Sequence, residues 1–241
     1  MQVNTKAIVI SAVKYGDSSL IVKCYTQQDG LKSYLLQGIL KRKKGKVNKS
    51  LFFPLSVLQI NASHNNKGSL NSISEASVLH PFLTLHVDLI KQSIVFFLSE
   101  FLSAVLGEEE GENEVLFDFL ENTIVWLDHH DHVANFHLVF LIQLTKCLGF
   151  YPDTAHQEKG YFFDLSGGKY VTRNGANVIQ GEVLTLFNNA LSLKFDDLET
   201  KMFSKNQRGI ILDVLLKYYQ LHLSSFRRPK SLDILSKILE E

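Results

Sequence analysis

The spacing of apolar residues changes at His80-Pro81, and this change divides the chain into two kinds of structure. Before it, apolar and polar residues alternate within five short runs, and turn-forming residues separate the runs. This pattern is typical of β-strands. After it, apolar residues recur every three or four positions, which places them on one side of α-helices. We therefore predict two domains, at residues 1–80 and 81–241.

The first domain is predicted to be a small β-barrel. Turn residues such as Asp29-Gly30 separate the runs. Five short strands within eighty residues favour closure, because a closed sheet has no unpaired edges. The predicted strands cover Val3 to Val13, Leu20 to Tyr25, Leu31 to Gln37, Pro54 to Ile60 and Leu70 to Leu79.

The second domain is predicted to be mostly α-helical, so the chain as a whole is an α+β multidomain protein. Gly167-Gly168 lies between two apolar runs and predicts a β-hairpin at about residues 160–172. Between residues 175 and 207 the pattern is mixed and predicts no element boundaries. The helical stripes run from Leu83 to Leu106, Leu116 to Leu127, Val133 to Leu148, Ile210 to Leu221 and Leu232 to Leu239.

Residues 41–49, the basic segment, are the strongest functional signal in the sequence. Clustered cations repel one another, so they face either water or a polyanion, and a nucleic-acid backbone is the common polyanion. The charge asymmetry agrees: residues 1–80 carry a net charge of +8 and residues 81–241 a net charge of −8. The cations of the basic segment are Lys41, Arg42, Lys43, Lys44, Lys46 and Lys49.

Other residues of the sequence are predicted to assist the basic segment. Tyr15, Tyr25 and Tyr34 each neighbour a lysine in the basic half, and barrels that bind single strands use mixed aromatic and cationic surfaces. Of these we select Tyr15 and Tyr34 as candidate contacts; a half-buried tyrosine with a hydrated hydroxyl is the equally simple alternative. Further candidate phosphate contacts are Lys6, Lys14, Arg227, Arg228 and Lys230.

The sequence contains no recognisable catalytic motif, and we predict a protein that is not an enzyme. The glycine-rich loops of nucleotide-binding proteins and the nucleophile elbow of hydrolases are missing. Asp128 and His132 have the i, i+4 spacing of metal ligands, so a metal-dependent nuclease is one alternative. An RNA-binding barrel protein is a second alternative. A scaffold whose basic segment is only hydrated is a third.

The cysteines and the hydropathy predict a cytoplasmic protein without a metal or cofactor. Cys24 and Cys147 lie far apart in apolar runs, as buried thiols of a reducing compartment do. The first residues lack the features of a signal peptide. The longest apolar stretch contains charged residues and does not predict a membrane span.

Four stretches of the sequence, in this order, resemble the RecO family of DNA recombination and repair proteins. None of them is a catalytic signature; the resemblance rests on their combination and covers nearly the whole chain. They are KAIVISAVKYGDSSLIVKCYTQQDGLKSYLLQG at 6–38, KRKKGKVNKSLFFPLSVLQI at 41–60, LIQLTKCLGFYPD at 141–153 and RRPKSLDIL at 227–235.

The resemblance implies an N-terminal OB-fold followed by a helical domain. It further implies a recombination mediator that binds single- and double-stranded DNA and anneals complementary strands. With the partner RecR, such a mediator loads RecA onto strands covered by single-stranded DNA-binding protein (SSB). It implies contact with the acidic, hydrophobic tail of SSB, a connection to RecF, and a bacterial, nucleoid-associated location.

The sequence departs from the family pattern at one point. Many RecO proteins carry a four-cysteine zinc site after the GF-P-D motif, whereas residues 154–169 contain no cysteine. We therefore predict that no zinc is bound, and that packing of Tyr161, Phe162 and Phe163 takes the place of the metal.

Overall fold

The computed structural model describes residues 1–41, 46–65, 70–108, 111–155, 162–199 and 203–239. The chain divides into two compact units, Met1–Asp128 and His129–Glu241. The first unit contains the predicted strands together with two helices that follow them. It therefore extends beyond residue 80, where the sequence pattern changes. The division into domains at residues 1–80 and 81–241 stays a prediction.

The first unit is built around a five-stranded antiparallel sheet, as the alternating pattern predicts. The strands occur in the order β3-β2-β1-β4-β5, so β1 lies at the centre and pairs with both β2 and β4. Their bounds are β1 Gln2–Tyr15, β2 Ser19–Thr26, β3 Gly30–Leu36, β4 Val57–Ser63 and β5 Ser72–Val78.

The two outer strands of the sheet meet and close it into a barrel. A parallel bridge joins Tyr34 of β3 to Asn71, which directly precedes β5. Asn71 exchanges two backbone hydrogen bonds of 2.9 Å with Ser33 and Leu35. This closure and strand order are those of a five-stranded Greek-key barrel of the OB-fold type, which confirms the predicted fold.

Helices α1, Leu89–Val105, and α2, Glu114–His129, follow the barrel strands. Helix α1 packs on β1, where the Ser99 hydroxyl donates to the Ile10 carbonyl oxygen at 2.6 Å. The buried Tyr25 of β2 stacks on Phe117 of α2, with ring centroids 6.3 Å apart. These contacts cover part of the outer surface of β1 and β2.

Helix α1 begins later than the apolar stripe predicts. Asp88 caps the helix by accepting a hydrogen bond from the backbone N–H of Lys91 at 2.8 Å. The backbone N–H groups of Leu83, Thr84 and Leu85 donate instead to the carboxylate of Asp128. The predicted helical start at Leu83 is therefore wrong, because these groups have a partner outside the helix.

The second unit is mainly helical, with a small sheet, as predicted. The predicted hairpin forms, but a third short strand makes the sheet three-stranded, in the order β7-β6-β8. Helix α4 lies in the stretch whose pattern was mixed. The bounds are α3 Phe136–Cys147, β6 Phe162–Asp164, β7 Lys169–Val171, β8 Val178–Ile179, α4 Gly181–Ser192, α5 Lys205–His222 and α6 Leu232–Ile238.

The hairpin packs onto α5 through aromatic side chains. Phe163 is fully buried and contacts Phe187 and Tyr218, with ring centroids 5.1 and 6.3 Å apart. The Nε2 atom of His222 lies 2.9 Å from the Leu165 carbonyl oxygen. Packing of Phe163 agrees with the idea that aromatic contacts hold this segment. Phe162 is half-buried, and Tyr161 lies outside the described residues.

No helix in the described residues is long and apolar enough to span a membrane. Cys24 and Cys147 do not form a disulfide bond. Cys24 is fully buried, and this burial raises the pKa of its thiol to about 12. Cys147 is only half-buried, so the prediction of a buried thiol is confirmed for Cys24 alone.

Candidate nucleic-acid interface

The basic segment is a loop held between buried anchors. Ile39, just before it, and Val47 and Phe52, near its end, belong to the hydrophobic core of the barrel. Between and beside these anchors, Lys41 and Lys49 are exposed to solvent. The chain therefore fixes both ends of the loop by apolar burial and leaves its described cations in water.

Hydrogen bonds also tie both ends of the basic segment to the barrel. At its start, the Leu40 N–H donates to the Ser18 carbonyl oxygen at 2.9 Å. At its end, the Ala76 N–H of β5 donates to the Lys46 carbonyl oxygen at 3.2 Å. The segment thus joins the β1–β2 turn to strand β5.

The β1–β2 turn brings two other predicted residues towards the basic segment. Lys14 and Tyr15 are the last residues of β1, and both are exposed, Tyr15 to 56%. Ser18 of the same turn bonds to Leu40, one residue before Lys41. Lys14 and Tyr15, at the end of β1, and Lys41, in the basic segment, therefore flank two turns that are hydrogen-bonded to each other at one end of the barrel.

Among the predicted phosphate contacts that the structure describes, Lys46, Lys6 and Arg228 are engaged with carboxylates. Lys46 pairs with Glu75 of β5. Lys6 pairs with Glu121 of α2 at 2.8 Å, and Glu121 also contacts His80. In the second unit Arg228 pairs with Asp213 of α5. A phosphate group that binds any of these cations must compete with a carboxylate.

The carboxylate partners in the first unit are held ionised. The hydrogen bond from Lys46, assisted by one from Asn61, lowers the pKa of Glu75. Burial alone would raise the pKa of Glu121, but hydrogen bonds from Lys6 and His80 outweigh it, and the pKa is lowered. Both groups are therefore anionic at neutral pH.

Tyr34, a predicted contact for nucleic acid, is not accessible to a ligand in this structure. Its side chain is fully buried, and its hydroxyl lies 2.7 Å from Nε2 of His64. Nδ1 of His64 lies 3.0 Å from Asp29, so the three side chains form one hydrogen-bonded chain beneath the barrel closure. Tyr25 is also fully buried. Neither ring has a free face for a base to stack on.

The remaining predicted contacts are three residues of the basic segment and two cations of the second unit. Arg42, Lys43 and Lys44 lie outside the described residues. Arg227 and Lys230 are exposed residues of the second unit and follow α5. Nη1 of Arg227 donates to the Phe226 carbonyl oxygen at 3.0 Å.

Asp128 has a structural role that excludes it from the suggested metal site. Its carboxylate accepts backbone hydrogen bonds from residues 83–85 and one from the Thr84 hydroxyl. Burial alone would raise the pKa of Asp128, but these hydrogen bonds outweigh it and lower the pKa. No cluster of potential metal ligands occurs within the described ranges. The nuclease alternative thereby loses Asp128, one of the two residues on which it depended.

Sequence reasoning missed a polar surface beside the basic segment. Asn4, Gln59 and Asn61 are linked by side-chain hydrogen bonds on the outer surface of β1 and β4. The signal was present in the alternation of these amides with buried residues such as Ile60. Amides are ordinary on a hydrated sheet, so this alternation alone does not predict a binding surface.

The barrel, its anchored cationic loop and the following helices define an OB-fold protein with a helical extension. Comparison with family models places residues 1–82 in "Recombination protein O N terminal" and residues 86–233 in "Recombination protein O C terminal". The chain therefore belongs to the RecO family of DNA repair proteins.

Individual relatives match over nearly the whole chain. The DNA repair protein RecO of Flavobacterium psychrophilum is 44% identical over 238 residues, covering 99% of each chain. That of Flavobacterium johnsoniae matches to the same extent. The RecO protein of Christiangramia forsetii is 41% identical over 245 residues, again covering 99% of each chain.

Proposed function

We propose that this protein is a non-enzymatic mediator of DNA repair and recombination in the bacterial cytoplasm. It binds single- and double-stranded DNA, anneals complementary strands, and acts with RecR to load RecA onto SSB-covered DNA. The observation that carries the proposal is the basic segment, fixed at both ends to an OB-fold barrel in a member of the RecO family.

The anchored loop supports binding that does not depend on sequence. Its cations contact phosphates, and phosphate contacts position a strand without reading its bases. Exposed lysines keep long flexible stems, so they adapt to different backbone paths. Annealing follows when the cations neutralise two strands at once and reduce the repulsion between their backbones.

The second unit contains a cleft that suits the acidic, hydrophobic tail of SSB. The cleft has a volume of about 360 Å³ and is formed by residues of α3, α5 and α6. Arg208 lines it and is 7% exposed; its guanidinium donates to the carbonyl oxygens of Phe203 and Leu239. Leu212 and Leu235 supply apolar walls. A buried cation among leucines fits a carboxylate next to an apolar side chain.

Fluorescence anisotropy of labelled single-stranded DNA at several salt concentrations tests the function. The parent should bind more weakly as salt rises, and replacement of residues 41–44 by alanine should give a shallower slope, by about one unit per lost phosphate contact. A variant with the parent's affinity and slope, or a parent that does not bind at low salt, would contradict the proposal.

A matched RNA strand in the same assay tests the choice of nucleic acid. The mediator function predicts that DNA is bound at least as tightly as RNA. Clearly tighter RNA binding would favour the RNA-binding alternative instead.

A labelled peptide that ends in acidic and apolar residues tests the cleft. Arg208→Lys should weaken binding, because lysine lacks the planar, forked guanidinium. Arg173→Lys, at another position of the second unit, is the matched control and should bind as the parent does. Equal binding by all three proteins would place the SSB contact elsewhere.

A further inference from the structure

Part of the barrel surface that OB-folds commonly offer to nucleic acid is covered by the chain's own helices. Oligonucleotides commonly bind the surface of strands 2 and 3 of this fold. Here Tyr25 of β2 lies beneath Phe117 of α2. At the start of β3, a Cβ atom on Gly30 would lie 2.3 Å from the carbonyl oxygen of Gly111. This close approach leaves no room for a ligand at that end of the two strands.

Part of the outer surface of β1, β4 and β5 is open to solvent, as far as the row of Lys6, whose side chain pairs with Glu121 of α2. The strand register arranges its side chains in three rows that cross the sheet. All of these side chains are polar, and apart from the two charged ones they are neutral amides and hydroxyls. The rows are Gln2–Ser63–Ser72, Asn4–Asn61–Glu75 and Lys6–Gln59–Ser77.

The amides of this surface form a directed chain of hydrogen bonds. Gln59 donates to Asn4, Asn4 donates to Asn61, and Asn61 donates to Glu75 at 3.0 Å. Each amide group has two N–H bonds and these contacts use one of them, so each amide retains a second donor. The chain also fixes the orientation of each amide, which pre-organises those donors.

The amide surface adjoins the basic segment. Lys46 pairs with Glu75, and its carbonyl oxygen accepts from Ala76 of β5. A shallow depression of about 310 Å³ is lined by Lys46 together with Asn4, Gln59 and Asn61. A strand whose phosphates contact the basic segment therefore has base-recognising groups directly beside it.

We propose that the outer surface of β1, β4 and β5 binds the bases of single-stranded nucleic acid through the amides of Asn4, Gln59 and Asn61. This inference rests on the proposed nucleic-acid binding and adds to it a second kind of contact. Side-chain amides pair with the hydrogen-bonding edges of bases, whereas lysines contact phosphates. In a duplex the Watson–Crick edges are already paired, so the amide surface favours single strands.

An anisotropy experiment with three probes separates base contacts from phosphate contacts. The probes are a mixed-sequence single strand, the same length of abasic strand, and a duplex. The variants are Asn4→Ala, Gln59→Ala and the double replacement. Asn122→Ala, an exposed amide on α2, is the matched control. Thermal melting of each variant checks that the fold is intact, and the two single variants are available if the double variant is unstable.

The double variant should bind the mixed-sequence strand about tenfold more weakly than the parent. Its affinity for the abasic strand and the duplex should stay within about twofold, and its salt slope should not change, because no charge is removed. Unchanged binding of the mixed-sequence strand, or an equal loss on all three probes, would overturn the base contacts while leaving phosphate binding intact. A parent that binds none of the probes would overturn both proposals.

Discussion

Glu75 restrains the basic segment, and its removal should strengthen DNA binding. Glu75 pairs with Lys46, and the hydrogen bond from Lys46 lowers the pKa of Glu75, so the carboxylate is ionised when DNA arrives. A phosphate group can use Lys46 only by displacing this carboxylate. Glu75→Gln removes the competing charge and keeps an oxygen that accepts from Asn61.

The size of the effect follows from the exposure of the pair. The side chain of Lys46 is 75% exposed and that of Glu75 is 42% exposed, so water screens their attraction strongly. Exposed pairs contribute little to folding, and the thermal midpoint should hardly move. The affinity for single-stranded DNA at low salt should rise about two- to threefold, because one more cation is free to bind.

The salt dependence of the affinity distinguishes this mechanism from a general charge effect. In Glu75→Gln, the slope of log affinity against log salt should become steeper by up to about one unit, the value for one additional phosphate contact. Glu114→Gln removes an equal charge from the exposed start of α2 and serves as the control. If both variants gave the same small gain, or if Glu75→Gln bound more weakly, the reasoning would be refuted.

Three further predictions concern stability and metal content. Asp128→Ala should lower the free energy of unfolding by about 3 kcal/mol, because the N–H groups of residues 83–85, including that of the buried Leu85, lose their acceptor; chemical denaturation measures this, and an unchanged midpoint would contradict it. The pKa of Asp128 is lowered in the folded protein, so its carboxylate stabilises the fold above its ordinary pKa, and this stabilisation is lost as the pH falls below about 4. Acid titration should therefore destabilise the parent more than the Asp128→Ala variant. Gly168→Ala should cost about 2 kcal/mol, because φ is +63° and the new Cβ would lie 2.7 Å from the Tyr218 hydroxyl; Gly107→Ala, with nothing within 4 Å, is its control. Elemental analysis should find no stoichiometric zinc, and a chelator should not change the melting temperature; bound zinc would refute the packing explanation.

The barrel could be predicted from the sequence because its signals are local. Alternation assigns strands, and glycine-containing turns such as Asp29-Gly30 separate them. The helices of the second unit followed from their apolar spacing in the same way. Helix α4 was missed, and so was β8, which has only two residues and depends on pairing with β6.

The start of helix α1 and the burial of Tyr34 both depend on residues that are far away in the sequence. The N–H groups of Leu83 and its neighbours bond to Asp128, forty-five positions away in the case of Leu83. Tyr34 lies where the barrel closes, and its hydroxyl is hydrogen-bonded with His64. The short stretches of sequence from which strands and helices are predicted do not contain both partners of such a contact.

The candidate site was predictable in composition but not in electrostatics. The cations of residues 41–49 are visible in the sequence, and their exposure where described follows from their charge. The pairing of Lys46 with Glu75 and of Lys6 with Glu121 requires the fold, because β5 and α2 bring these carboxylates in from distant positions. The sequence therefore overstates how many cations are free to bind phosphate.

The rate of strand annealing tests the central claim most directly. Two complementary strands, one labelled with a donor fluorophore and one with an acceptor, are mixed with the parent or with a variant in which all six cations of the basic segment are replaced by alanine. A variant carrying the same number of lysine replacements in the second unit controls for net charge. The proposed function predicts fast annealing by the parent and the control, and annealing near the protein-free rate by the six-cation variant. Annealing at the parental rate by the six-cation variant would contradict the claim that the basic segment brings the strands together.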